Sequence, residues 1–97
     1  MTKPSRESVR ATREIKILNE LGLHARPAAE FVRRANSFRS EIWLVAKSGR
    51  YSALSLIEVM RANLDCGAVA TLEAEGVDAP EAVERLAKVI REMRDYE

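Results

Sequence analysis

Two kinds of apolar spacing alternate along this chain, and their order limits the folds that it can adopt. Short alternating or β-rich segments predict four strands, over residues 11–18, 41–47, 50–53 and 68–75. Apolar residues at helical spacing predict three helices: residues 25–36, residues 55–62, and a long C-terminal helix that follows Asp78 and extends to Met93. The order β-α-β-β-α-β-α predicts an α+β fold with three helices on one face of a four-stranded antiparallel sheet. The pattern alone leaves a ferredoxin-like arrangement open.

The composition limits the class of protein. Ninety-seven residues with 46% apolar content are enough for one small domain with its own core. We expect the polar residues 1–10 to form a mobile leader and residues 11–97 to form the single domain. The sequence contains no apolar stretch as long as a membrane span, and Cys66 is the only cysteine. These features favour a cytoplasmic protein without membrane insertion, without a metal and without an internal disulfide.

Charge is distributed unevenly although the net charge is only +1. Residues 1–50 carry 11 Lys or Arg and 5 Asp or Glu, hence +6, whereas residues 51–97 carry 5 and 10, hence −5. The basic half favours acidic protein partners through electrostatic steering. Nucleic acid is a weaker alternative, because the basic residues form no run and few aromatic residues accompany them.

The only histidine lies where the first strand should end and the first helix begin. Gly22 allows a sharp change of direction, and Pro27 suits a first helical turn because the amides there have no intrahelical partner. His24 is therefore the predicted N-cap. The positive end of a helix attracts anions and disfavours a protonated imidazole, and Arg26 adds a fixed cation. This site is suited to phosphoryl transfer, but a lone His-x-Arg is more often a capping histidine beside a solvated arginine.

The wider run Gly-Leu-His-Ala-Arg-Pro-Ala, residues 22–28, closely resembles the active-site signature of HPr. HPr proteins are the histidine-containing phosphocarriers of the sugar phosphotransferase system. The resemblance covers nearly all of the chain after about residue 11 and continues through residues 30–32, 55–60 and 73–78. It implies an open-faced β-sandwich, which agrees with the apolar pattern.

The resemblance also implies a function. His24 would carry the phosphoryl group on Nδ1, and Arg26 and the amide of Ala25 would hold the phosphate. Enzyme I would be the donor, charged by phosphoenolpyruvate, and enzyme IIA components would be the acceptors. Such a protein is a monomeric carrier with a phosphohistidine intermediate, needs no cofactor, and is not a stand-alone enzyme.

A second family site falls on Ser55, which a dedicated HPr kinase/phosphorylase modifies in many members. The resemblance places the partner interface on the adjacent apolar residues Leu56, Ile57 and Met60. The chain departs from the family here: Ser-Ala-Leu-Ser replaces the common Asn-Ala-Lys-Ser, and Glu58 replaces a glycine. Regulation at Ser55 is therefore open. The alternative is a regulatory paralogue, of the nitrogen-branch or adaptor type, that acts mainly through protein binding.

Two Ser/Asp–Glu pairs at a spacing of three residues predict helix caps. Ser55 would accept a backbone N–H near Glu58 while the Glu58 carboxylate reaches back, as in a capping box. Asp78 and Glu81 form the second predicted pair.

Trp43 is the only tryptophan, between the inward residues Ile42 and Leu44. Alternation places it on the sheet face that no helix covers, so we expect a partly exposed indole available for association. Burial in the core is the competing interpretation.

Overall fold

The computed structural model describes residues 9–95. It contains the seven expected elements in the expected order: β1 (Arg10–Lys16), α1 (Ala25–Ala35), β2 (Glu41–Ala46), β3 (Gly49–Ser52), α2 (Leu56–Ala62), β4 (Val69–Glu75) and α3 (Ala79–Glu92). Residues 1–8 of the expected leader lie outside the described part, and β1 begins at Arg10, one residue earlier than predicted. The other boundaries lie within two residues of the sequence predictions, and several coincide with them.

The four strands form one sheet in the order β1-β4-β2-β3. β4 lies between β1 and β2, with Ala74 opposite both Ala11 and Ile42, and β2 also pairs with β3. All three pairings are antiparallel. In a ferredoxin-like, split β-α-β sheet, β3 lies between β1 and β2, whereas here β4 occupies that place and β3 lies at an edge. The ferredoxin-like alternative is therefore excluded, and the open-faced antiparallel fold is confirmed.

One face of the sheet is covered by the helices and forms the core. Phe31 of α1 and Leu86 of α3 are fully buried, as are Leu44 and Leu72 of the central strands. The apolar alternation that predicted the strands reflects this one-sided burial, because every second residue of β4 is buried.

Trp43 lies on the opposite face and is half-buried, as the alternation predicted. The guanidinium carbon of Arg50 lies 4.0 Å from the centroid of its ring. Arg50 also contacts the carboxylate of Glu73 at 3.5 Å. The Arg50 guanidinium, on the same face of the sheet, therefore covers part of the indole. Its use for association stays a prediction.

The predicted side-chain cap at the start of α3 is wrong. The backbone of Asp78 caps the helix, since its C=O accepts the N–H of Ala82 at 2.8 Å, but its carboxylate makes no cap hydrogen bond. The carboxylate instead accepts the Ser40 hydroxyl at 2.6 Å and the N–H of Arg39 at 2.9 Å. Burial raises the pKa of Asp78, but these hydrogen bonds lower it more, so the pKa lies below its ordinary value. Asp78 therefore ties α3 to the segment that precedes β2.

Candidate functional site

The loop between β1 and α1 is anchored by backbone contacts to the segment that follows α2. The N–H of Leu23, which is fully buried, donates to the C=O of Leu64 at 2.8 Å. Gly22 has a φ of +82°, and a Cβ there would lie 2.8 Å from the Leu64 oxygen and 2.9 Å from the Asp65 Cα. The predicted glycine turn is therefore confirmed, and a close approach of two backbones requires it.

A buried asparagine holds the start of the same loop. Asn19 is 7% exposed, and its Nδ2 donates to the C=O of Gly22 at 2.8 Å and to Asp95 Oδ1 at 2.8 Å. The N–H of Leu21 donates to the same carboxylate oxygen at 3.1 Å. The chain beyond α3 thus fixes the loop, a contact that the sequence pattern did not indicate because it joins residues 76 positions apart.

His24 is the N-cap of α1 through its backbone, as predicted. Its φ of −127° and ψ of 163° are extended, and its C=O accepts the N–H of Ala28 at 3.3 Å. The imidazole makes no cap hydrogen bond. Its Nε2 instead contacts Asp65 Oδ1 at 2.8 Å, and the side chain is 31% exposed. The ring is thus held from one side and still reachable by solvent.

The first turn of α1 offers positive groups close to this ring. Ala25 and Arg26 follow His24 directly and are both exposed, and the first turn contains no acidic residue. Ala25 has a φ of +48°. For a residue with a Cβ, such a left-handed conformation costs about 1–2 kcal/mol. The chain therefore enters α1 through a strained residue. The N–H groups of the first turn have no partner within the helix and point out of its N-terminal end.

Further along α1 the charges are paired. The Glu30 carboxylate accepts from Arg33 Nη2 and from Arg34 Nε, both at 2.7 Å. These two hydrogen bonds lower the pKa of Glu30 below its ordinary value. Glu30 therefore partly neutralises this part of the helix.

Ser55 is the N-cap of α2, as predicted. Its Oγ accepts the N–H of Glu58 at 3.3 Å. The reciprocal half of the predicted capping box is wrong: the N–H of Ser55 donates to the C=O of Ser52 at 3.4 Å, and the Glu58 carboxylate lies 3.8 Å from Arg61. An i,i+3 cation attracts the carboxylate away from the helix end.

The predicted partner interface is an exposed apolar strip on α2. Leu56, Ile57 and Met60 are 39%, 72% and 44% exposed, although each is large and apolar. α2 ends at Ala62, its C-cap Asn63 has a left-handed φ of +52°, and Asp65 two residues later contacts His24. The strip therefore lies on the helix that leads directly into the loop around Asp65.

Asp65 is the site residue that sequence reasoning missed. The sequence assigned it only to a turn, and it lies 41 positions from His24. The neighbouring Cys66 is exposed, as expected for a loop residue. Within residues 9–95, no three His, Cys, Asp or Glu side chains gather as a metal ion would require. In the same part of the chain, no helix has the length and apolarity needed to cross a bilayer.

Comparison with known proteins identifies the family. A family model described as the PTS HPr component phosphorylation site matches residues 11–92. The chain belongs to the HPr family of phosphocarrier proteins. The Phosphocarrier protein HPr of Buchnera aphidicola subsp. Schizaphis graminum is 42% identical over 81 residues, which cover 84% of this chain and 95% of that protein.

Solved HPr structures agree with the fold. The crystal structure of HPr-C-His from Thermoanaerobacter tengcongensis has a TM-score of 0.81 at 40% identity, over 84% of this chain and 91% of that one. The solution structure of Crh, the Bacillus subtilis catabolite repression HPr, has a TM-score of 0.69 at 39% identity, over 87% and 98%. The resemblance stated from the sequence is thus confirmed for both family and fold.

Proposed function

We propose that this protein accepts a phosphoryl group on His24 Nδ1 from phosphorylated enzyme I and passes it to enzyme IIA components. The observation that carries the proposal is the partly exposed imidazole at the start of α1, held through Nε2 so that Nδ1 is the nitrogen opposite the contact. Phosphoryl transfer asks mainly for positioning and for stabilisation of charge. A carrier of this kind would work in the cytoplasm alongside enzyme I.

The groups around His24 supply that stabilisation. The phosphoryl oxygens would meet the amides of Ala25 and Arg26, the positive end of α1 and the Arg26 guanidinium. The first turn of α1 has no carboxylate to oppose this charge. Since the site is exposed and its phosphate contacts are few, the phosphate would be held weakly enough to be handed on.

The surface around the site suits a protein partner. The exposed strip of Leu56, Ile57 and Met60 would be covered on docking, and the loss of water from apolar surface would stabilise the complex. The basic excess of residues 1–50 would steer acidic partners toward the half of the chain that contains His24.

The test is labelling with phosphoenolpyruvate and enzyme I, followed by intact-mass measurement. We expect one acid-labile phosphoryl group on the protein and none on His24→Ala, since the chain has no other histidine. Arg26→Ala should fold and accept the group about 10- to 100-fold more slowly, because it removes charge stabilisation and keeps the nucleophile.

Arg33→Ala is the matched control, since it removes an exposed arginine of the same helix that pairs with Glu30. We expect its transfer rate to equal that of the unmodified protein. Labelling of His24→Ala would refute the proposal. Equal slowing in both arginine variants would show that Arg26 has no specific role.

Regulation at Ser55 is the second part of the proposal. The half-buried hydroxyl lies at the start of α2 beside the apolar strip, so a phosphate there would add charge to the docking surface. HPr kinase/phosphorylase with ATP should then label the protein and leave Ser55→Ala unlabelled. Labelling of neither protein would mean that Ser55 only caps the helix.

A regulatory or adaptor paralogue is the alternative function. The similarity to Crh favours it, as does Glu58 at a position where the family commonly has glycine. A protein of this kind would act by binding and would not depend on phosphate at His24. Failure of enzyme I to label the protein would favour this alternative.

A further inference from the structure

The carboxylate of Asp65 is the only acidic group that the described residues place against His24, with 2.8 Å between Oδ1 and Nε2. We propose that Asp65 is a positioning residue for phosphoryl transfer: it fixes the tautomer of His24 and stabilises the charge that the ring acquires. The role in stabilising charge rests on the proposed function. The effect on the tautomer concerns the imidazole alone and is tested without any partner protein.

The backbone around Asp65 is held firmly enough to position the carboxylate. The preceding residue, Leu64, is 4% exposed and accepts the N–H of Leu23 at 2.8 Å. The following turn is closed by the N–H of Ala68, which donates to the C=O of Asp65 at 2.9 Å. Gly22 permits the approach of the two segments. Asp65 is therefore fixed next to His24 by contacts that do not involve either side chain.

An ionised carboxylate can only accept hydrogen bonds. The contact at 2.8 Å therefore places the hydrogen on Nε2 of His24, and the lone pair of the neutral ring resides on Nδ1. Nδ1 is then the nucleophilic nitrogen. Asp65 thus selects the ring nitrogen that attacks, without contacting the reacting atoms.

The transfer step shows why the carboxylate is useful. The Nδ1 lone pair forms the new N–P bond, while the bond between phosphorus and the donor atom of enzyme I breaks and its electron pair stays with the donor. The hydrogen on Nε2 stays in place, so the ring becomes an imidazolium and gains one positive charge. That charge develops 2.8 Å from the Asp65 carboxylate, which stabilises it. No proton has to move from the ring.

Exposure limits the size of the effect and separates it from folding. The side chains of His24 and Asp65 are 31% and 72% exposed, so the pair is screened by water and contributes little to stability. Variants of Asp65 should therefore fold normally. We expect the transfer rate to fall by roughly two- to fivefold, the scale of an exposed ion pair.

The first measurement is the tautomer of His24 by ¹⁵N NMR of the imidazole at about pH 8.5, where imidazole rings are neutral. His24 is the only histidine, so its two ring nitrogens give the only such signals. We expect the unmodified protein to show mainly the Nε2–H form. Asp65→Ala should show more of the Nδ1–H form. Asp65→Asn should do so as well, because an amide can donate to Nε2 and stabilise that tautomer.

The second measurement is the rate of labelling by enzyme I and phosphoenolpyruvate. Asp65→Ala and Asp65→Asn should both be slowed, whereas Glu81→Gln, which makes the same charge change on α3, should not. An unchanged tautomer in both Asp65 variants would overturn the proposal, as would a changed tautomer with an unchanged rate. If the unmodified protein takes no phosphate, the proposed function fails, and the tautomer measurement still decides whether Asp65 orients His24.

Discussion

Removal of the Asp78 carboxylate should lower the free energy of unfolding by an amount that follows from the two hydrogen bonds it accepts. In Asp78→Ala, the Ser40 hydroxyl loses its acceptor while the residue stays only 3% exposed. An unsatisfied buried hydroxyl costs about 1–3 kcal/mol. The N–H of Arg39 is exposed and can donate to water instead, so the loss of its hydrogen bond to Asp78 adds little to the destabilisation. We expect the free energy of unfolding to fall by about 2 kcal/mol and Tm by about 10–15 °C.

The acid dependence of stability follows from the pKa of Asp78. Because its folded pKa is lowered, the charged carboxylate stabilises the fold above its unfolded pKa, near 3.9. That stabilisation is lost as the pH falls from about 4 through the lower folded value. Glu30 has a lowered pKa as well and contributes in the same direction. The difference between the unmodified protein and Asp78→Ala isolates the contribution of Asp78.

The assay is urea unfolding at pH 7 and at successively lower pH, with Ser40→Ala and the double variant as controls. The gap between the unmodified protein and Asp78→Ala should shrink as the pH falls. In the Ser40→Ala background the same substitution should cost about 1 kcal/mol less, because no hydroxyl is left unsatisfied. A gap that stays constant with pH, together with additive single substitutions, would refute the hydrogen-bonded carboxylate described for Asp78.

Three further predictions concern the cap residue Ser55, the strained residue Ala25 and the partly exposed Trp43. Ser55→Asp should raise Tm less in the unmodified background than in Glu58→Gly, because Glu58 repels a second negative charge one turn away; equal changes would contradict this. Ala25→Gly should raise the free energy of unfolding by about 0.5 kcal/mol, as the strained Cβ is removed at some cost in chain entropy; a decrease measured in urea would argue against strain there. The fluorescence of Trp43 should be quenched by iodide, and a blue-shifted emission that iodide cannot quench in a proven monomer would exclude the exposed position.

The sequence predicted most of the fold because its main signals are local. Alternation in β4 and helical spacing in α3 reflect burial on one side of each element, and both were read correctly. His24 was found for the same reason, since the glycine, the histidine and the first helical turn are consecutive. Ser55 was also recognised as a cap from its spacing to Glu58.

The errors and omissions concern side chains whose partners are distant in the sequence. Asp78 has the spacing of a cap, but Ser40 and the N–H of Arg39, 38 and 39 positions away, compete successfully for its carboxylate. Asp65 reads as a turn residue until the sheet brings it to His24. Local propensity describes which partners a residue could have, and the tertiary fold decides between them.

The pairing of β1 with β4 has a consequence for how the protein folds. Arg10 pairs with Glu75 and Lys16 with Val69, so each of these contacts closes a loop of more than half of the 97-residue chain. Closing such loops costs entropy before the contacts stabilise the chain, which slows folding relative to helical proteins of this size. The loop after β1 and the loop before β4 meet at the same end of this pair, so the contact between His24 and Asp65 depends on this long-range pairing. Competence to accept phosphate should therefore return in refolding together with the β1–β4 pairing and not before it.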